Sequence, residues 1–287
     1  MVHLANSRVN FLRTNKETRL KITNEEARGM LSDERFPRSG NYDPHWVLAN
    51  QMGPNALWLT ESLCERMTLK PGMRVLDMGC GTAMSSIFLA KEYGVQVWAN
   101  DLWISAEDNH ERIVEAGVED LVTPVRAEAH SLLYDRGYFD AAISVDSFHY
   151  YGTSDTYLGY FASFLKPGAQ IGMANPGLIK DIEGDLPAYL TEEDENGNSF
   201  WDPKECWSFH TANWWRNHWE HTGIVDIEHA SAMKDGWSIW LKFDDVVVAA
   251  AEPMPLLGAP TLDTGNVLRA DQGEYLGIIE ISARMRE

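Results

Sequence analysis

The chain has 287 residues, 44% of them hydrophobic, enough to bury a sizeable core as one large domain or one domain with a cap. Its 24 Lys plus Arg stand against 43 Asp plus Glu, and the formal net charge of -19 would repel a phosphate backbone, which disfavours nucleic acid as a partner. Cys64, Cys80 and Cys206 are too few and too scattered for a disulfide framework or a zinc site, so a reducing, cytoplasmic compartment is expected and no metal centre. Neither a signal peptide nor an apolar run of membrane-spanning length is legible, and nothing in the composition opposes a homo-oligomer.

Residues 1 to about 40 are polar and irregular and read as a loosely attached arm. From Tyr42 the composition changes. Tyr42, Trp46, Val47, Leu48 and Met52, then Ala56, Leu57, Leu59, Leu63 and Met67, mark two helical segments broken at Met52-Gly53-Pro54-Asn55. Lys70-Pro71-Gly72 ends them. Arg74 to Asp101 then reads as strand, glycine turn, helix, strand and acidic residue in unbroken succession. Val75-Leu76 is the strand and Asp77 to Ala83 the turn; the helix runs through Ser85, Ile87, Phe88, Leu89 and Lys91 to Gly94, and Val95 to Ala99 forms the second strand.

Glycines let a backbone turn sharply and approach a ligand, free amides at a helix start offer hydrogen bonds, and an acidic residue closing the next strand can accept both hydroxyls of a ribose. The unit therefore reads as a nucleoside holder. A dinucleotide fingerprint wants a third glycine where Met84 stands and an uncharged turn where Asp77 stands, a poor neighbour for phosphate. A carboxylate at that place suits an amino group and a sulfonium.

Further along, Leu102 to Ala116 reads as a helix, Leu121 to Val125 as a third strand and Ala141 to Val145 as a fourth, with Asp146 to Gly152 leaving its carboxyl end, the edge where ligands sit in an open α/β sheet. A helix from Thr156 to Leu165 is expected to stop at Lys166-Pro167-Gly168, with a fifth strand from Ile171 to Ala174 and a turn at Asn175-Pro176-Gly177. Residues 178–210 are acidic, aromatic and weakly patterned and read as an insertion, as do 244–272; Glu192 to Asn198 reads as a solvated loop and Pro253 to Pro260 as a connection. Trp214, Trp215 and Trp219, at helical spacing between Thr211 and Thr222, fit packing against the sheet. His218 and His221 lack an evident third metal ligand. Val225 to Glu228, Trp237 to Phe243 and Leu276 to Ala283 supply further strands or helices.

Asp77-Met78-Gly79-Cys80-Gly81 resembles motif I of the class I S-adenosylmethionine-dependent methyltransferases, and the chain from about Tyr42 to Leu178 is similar to their small-molecule branch, which includes sarcosine and dimethylglycine methyltransferases and cyclopropane fatty-acid synthase relatives. The resemblance implies a Rossmann-like, seven-stranded, mostly parallel sheet flanked by helices: a class I core over 71–287, preceded by an N-terminal arm and helical cap over 1–70. It implies S-adenosylmethionine bound by Asp77, Gly79, Cys80, Gly81, Asp101, Leu102, Glu128, Ala129, Ser144 and Asp146, with S-adenosylhomocysteine as product. Glu128 stands where the family usually has Asp to accept from the adenine amino group.

For a small-molecule acceptor the candidates are Tyr42, Trp46, Asn55, His149, Tyr150, Tyr151 and Trp201, whose aromatic members suit an amine or methylated ammonium. Nitrogen, oxygen, sulfur and carbon acceptors all stay open. His149 is the candidate general base because it follows the fourth strand and titrates near neutral pH. Asp101→Ala is expected to weaken cofactor affinity with the fold intact. Two other readings stand beside methyl transfer: a nicotinamide-dependent oxidoreductase, and a non-catalytic module that binds the cofactor or its product.

Overall fold

The computed structural model describes residues 21–193, 197, 199–203, 206–250 and 264–287. In chain order the elements are α1 (Asn24–Leu31), α2 (Pro44–Asn50), α3 (Ala56–Cys64), β1 (Arg74–Met78), α4 (Met84–Tyr93), β2 (Gln96–Asp101), α5 (Ala106–Glu115), β3 (Val122–Arg126), β4 (Phe139–Val145), α6 (Tyr157–Ala162), β5 (Leu165–Leu178), α7 (Ala188–Thr191), α8 (Ala212–His221), β6 (Val225–Ala232), α9 (Gly236–Ala250), α10 (Thr264–Asp271) and β7 (Leu276–Met285). Much of the Glu192–Asn198 loop and all of Pro253 to Pro260 lie outside the described residues, as does the first half of the arm.

Seven strands form one sheet in the order β3-β2-β1-β4-β5-β7-β6. The pairs β3 with β2, β2 with β1, β1 with β4 and β4 with β5 are parallel. Parallel strands are covered on both faces, and Val75 and Leu76 of β1 are accordingly inaccessible to solvent. The strand order reverses between β1 and β4, which opens a crevice at their carboxyl ends. Asp77 and Asp146 lie beside that reversal.

The described residues fall into two compact units, one drawn from Met1–Asn55, Pro176–Thr211 and Ala232–Ile279, the other from Ala56–Asn175, Ala212–Ser231 and Glu280–Glu287. In the first, Thr23 and Glu26 close a capping box on α1, Asp43 caps α2 ahead of Pro44, and α9 packs on α1 and α10. Lys242 on α9 holds the end of α1 through the Ser32 carbonyl and the Asp33 carboxylate. In the second, Phe148 is wholly buried, and Tyr151, Tyr157, Phe161, Trp215 and Trp219 ring it at centroid distances of 5.4, 5.7, 5.9, 6.0 and 5.4 Å. That aromatic cluster anchors the loop after β4.

The second half departs from the expected pattern in two places. Leu165 is the first residue of β5, not the last of a helix: it pairs with Phe139, and a register shift absorbs Lys166-Pro167-Gly168 inside the strand. Asn175-Pro176-Gly177 continues β5 instead of turning out of it, because the missing Gly177 side chain leaves room for Ile279 and the His210 carbonyl. Trp237 to Phe243 lies within helix α9, which extends through residues 244–250, so the segment read as insertion begins as helix. Trp215 and Trp219 are buried as expected, whereas Trp214 stacks on His218. Among the described residues no helix is long and apolar enough to cross a membrane.

Candidate active site

The glycine turn is held by β2. Gly79 N and Cys80 N both donate to the Asn100 carbonyl, at 2.8 and 3.0 Å, and Gly81 N donates to Asp101 Oδ2 at 2.9 Å. Asp101 Oδ1 accepts from Trp103 N at 2.7 Å and Ile104 N at 2.8 Å, so the helix expected from Leu102 starts only at Ala106, under a Ser105 cap. Asn109, from α5, adds a bond of 2.9 Å to the Gly81 carbonyl. The amides of Gly79, Cys80 and Gly81 are thus committed within the protein.

Gly79 is required for a reason of packing. Its φ is 75°, and a Cβ there would stand 2.1 Å from Ser147 Oγ and 2.4 Å from Ser147 Cβ. The close approach is made by the protein's own Ser147. Ala83 also takes a left-handed conformation, φ 62°, to start α4.

Asp77 is fully buried at the end of β1, where Ser85 and Ser86 in the first turn of α4 each donate to its Oδ2 at 2.6 Å. Its Oδ1 has no partner among the described residues. Burial raises this carboxyl to about 6, against the two serine bonds, and nearby Asp101 pushes the same way. The folded protein therefore keeps a proton on Asp77 that the unfolded chain releases near its ordinary 3.8, so stability without ligand falls as pH rises from about 4 through about 6. A shift of about two units corresponds to at most roughly 3 kcal/mol. Urea midpoints across this range are expected to decline in the wild type and to flatten in Asp77→Asn; equal slopes would show that Asp77 does not carry the effect.

Asp101 is raised as well, by burial against the amides of Ile104, Gly81 and Trp103. Asp146 follows β4 with φ 52°, a left-handed conformation that Asp tolerates better than most residues. Burial raises the Asp146 carboxyl to about 8, although the residue as a whole is half-buried. Cys80 is buried and its thiol is pushed well above its ordinary range by desolvation, then by Asp77 and Asp101, which makes it a poor nucleophile.

His149 is almost wholly buried, its ring 4.0 Å from that of Tyr150, and desolvation lowers it to about 4 against a bond with Asn175. It is therefore neutral at physiological pH. Tyr150 and Trp103 are exposed and face each other at 6.4 Å, with Leu102 exposed at the end of β2. Glu128 accepts from His130 N at 2.8 Å and pairs with His130 Nδ1 at 2.7 Å, while the buried Ala129 accepts at its carbonyl from Tyr157 Oη at 3.2 Å.

Asp77, Gly79, Cys80, Gly81, Asp101, Ser144, Asp146, His149, Tyr150 and Tyr151 all belong to the second unit and stand at the ends of β1, β2 and β4. Tyr42 and Trp46, stacked at 5.8 Å, Asn55, which is buried, and Trp201, 6.4 Å from Phe209, belong to the first. Sequence reasoning missed Ser85, Ser86, Asn109 and Ser147. Two serines opening a buried helix behind a buried Asp were the available signal for the first pair; nothing local marks the others.

Comparison with known proteins finds methyltransferases. Residues 75–168 match the model of a methyltransferase domain. Methyltransferase GfsG of Streptomyces halstedii is 29% identical over 167 residues, 55% of this chain and 58% of that protein. Sarcosine/dimethylglycine N-methyltransferase of Halorhodospira halochloris is 34% identical over 144 residues, 48% of this chain and 51% of its own length. The chain thus spans little more than half the length of these two relatives. Phosphoethanolamine N-methyltransferase 2 of Haemonchus contortus, solved with phosphomonomethylethanolamine and S-adenosylhomocysteine, shares the fold at a TM-score of 0.64 and 17% identity, over 91% of this chain and 61% of that one. Residues 75–168 thus carry a methyltransferase domain, and both of these curated relatives are methyltransferases.

Proposed function

We propose that the protein transfers the methyl group of S-adenosylmethionine to a small-molecule acceptor, by in-line displacement at the carboxyl ends of β1 and β4. The observation that carries this reading is the chemistry left over at the turn. Gly79, Cys80 and Gly81 have no amide to give a pyrophosphate, since all three are bound to Asn100 and Asp101, while the buried Asp77 Oδ1 lacks a partner and suits an ammonium. A nicotinamide dinucleotide fits this poorly.

When bound, the cofactor supplies an activated methyl group on a positively charged sulfur. The chain's part is to hold and align, and such positioning is worth about 7–11 kcal/mol in the best intramolecular cases. In this reading Asp77 pairs with the amino group, Asp101 offers its remaining lone pairs to the ribose, Glu128 and Ala129 meet the adenine, and Ser144 and Asp146 flank the reacting end. Tyr150 is the acceptor candidate of the same unit, and Tyr42, Trp46, Asn55 and Trp201 are carried as acceptor candidates on residue type alone. His149, neutral and water-excluded, would take a proton from the acceptor where one must leave.

Screening amines, thiols, phenols and carboxylates for release of S-adenosylhomocysteine tests the reading. Turnover on one class establishes it, cofactor binding without any turnover favours the non-catalytic module, and absence of binding ends it. His149→Ala is expected to slow turnover at saturating cofactor by about 100-fold or more if the ring is the base, with cofactor affinity unchanged. An unaltered rate removes His149 from the mechanism.

A further inference from the structure

Three hydroxyls meet at the same sheet edge and serve neither carboxylate. Ser144 Oγ lies 2.7 Å from Ser147 Oγ and 2.9 Å from Tyr151 Oη, and Ser147 Oγ lies 2.9 Å from Tyr151 Oη, so the three close a triangle. Their protons can be counted. Ser147 and Tyr151 each donate to the Met78 carbonyl, at 2.8 and 3.0 Å, which leaves only the Ser144 proton for a bond within the triangle. Each oxygen keeps two lone pairs, so acceptors outnumber the protons left to fill them.

The cluster therefore shows its surroundings an uncharged, electron-rich face with nothing to donate. It is also fixed to the turn. Tyr151 Oη would lie 3.5 Å from a Cβ on Gly79, and Ser147 already fills that space. Burial, then the nearby Asp77 and Asp101, pushes the Tyr151 phenol well above its ordinary range against the bonds to Ser144 and Ser147, so the phenol keeps its proton.

We propose that Ser144, Ser147 and Tyr151 form a charge-selective positioning element that favours the sulfonium donor over its neutral thioether product. The inference rests on the methyl-transfer reading and deepens it, by moving Tyr151 from the acceptor to the donor. A neutral cluster of lone pairs attracts a positive sulfur and is indifferent to a thioether, so it speeds product exchange without adding a buried charge. Tyr151 acts as a positioning residue.

Tyr151→Phe keeps the ring and removes one oxygen, and Met78 still accepts from Ser147. Calorimetry with S-adenosylmethionine, with S-adenosylhomocysteine and with an adenosyl analogue carrying an ammonium in place of the sulfonium reads the effect. Affinity for the two cationic ligands is expected to fall about five- to tenfold while that for S-adenosylhomocysteine stays within about twofold. Equal loss for all three, or no loss, overturns the proposal. Ser144→Ala is expected to act in the same direction and serves if the phenylalanine variant does not fold. A wild-type protein that binds none of the three ligands would instead overturn the methyl-transfer reading beneath it.

Discussion

Asp101→Ala is expected to lower stability by roughly 3 kcal/mol or more, in addition to weakening donor binding. Its carboxylate is the acceptor for Gly81 N, Trp103 N and Ile104 N. Bonds of this kind to a charged group contribute about 1.5–3 kcal/mol each, and orphaned amides cost their desolvation in full. The sum is reduced because burial already disfavours the ionised carboxylate, which places the expectation near the lower end. Asp101→Asn keeps one carbonyl oxygen in place and should fall between wild type and the alanine variant in urea midpoint. The expectation that alanine would leave the fold intact treated Asp101 as facing ligand alone. Should the alanine variant unfold at the wild-type midpoint while losing only affinity, the amide bonds carry no net stability and the earlier view stands.

Gly79→Ala is expected to be at least as damaging. The left-handed conformation alone costs a side chain about 1–2 kcal/mol. The new methyl would also overlap Ser147, whose Cβ sits 2.4 Å from the added atom and so cannot swing away as a flexible tip would. Overpacking of this severity adds about 1–3 kcal/mol or more. The double variant Gly79→Ala with Ser147→Gly separates the two contributions: it should recover the steric part and retain the conformational one. A single variant as stable as wild type would show that the Ser147 loop yields freely, which would also weaken the case for a rigid hydroxyl cluster on Met78.

These expectations concern a turn whose existence was legible in the residues but whose wiring was not. Asp77, Gly79, Gly81 and Asp101 stand at spacings that strand, turn and strand dictate, so the parallel βαβ unit and its acidic ends could be read directly. Asn100 and Asp101, by contrast, consume the turn amides across about twenty residues of chain, and periodicity carries no information on such a bond. The fifth strand lies where Ile171 to Ala174 predicts it, but it begins earlier for a related reason. Lys166-Pro167-Gly168 has the composition of a stop, yet pairing with β4 tolerates it as an irregularity, since tertiary context overrides local propensity.

Chain order and residue type were by themselves sufficient for the class: an α/β sheet with a glycine turn behind an acidic residue, preferring a cationic nucleoside to a phosphate-bridged one. Those features are local, set by backbone conformation and by side chains a few positions apart. Packing alone decided that Gly79 yields to Ser147, that Asp77 keeps one oxygen unpartnered, that His149 is neutral and that three hydroxyls converge on the Met78 carbonyl. The glycine contact and the hydroxyl cluster depend on β4 lying beside β1, a neighbour 66 residues away in the chain that only the assembled sheet brings within hydrogen-bond reach.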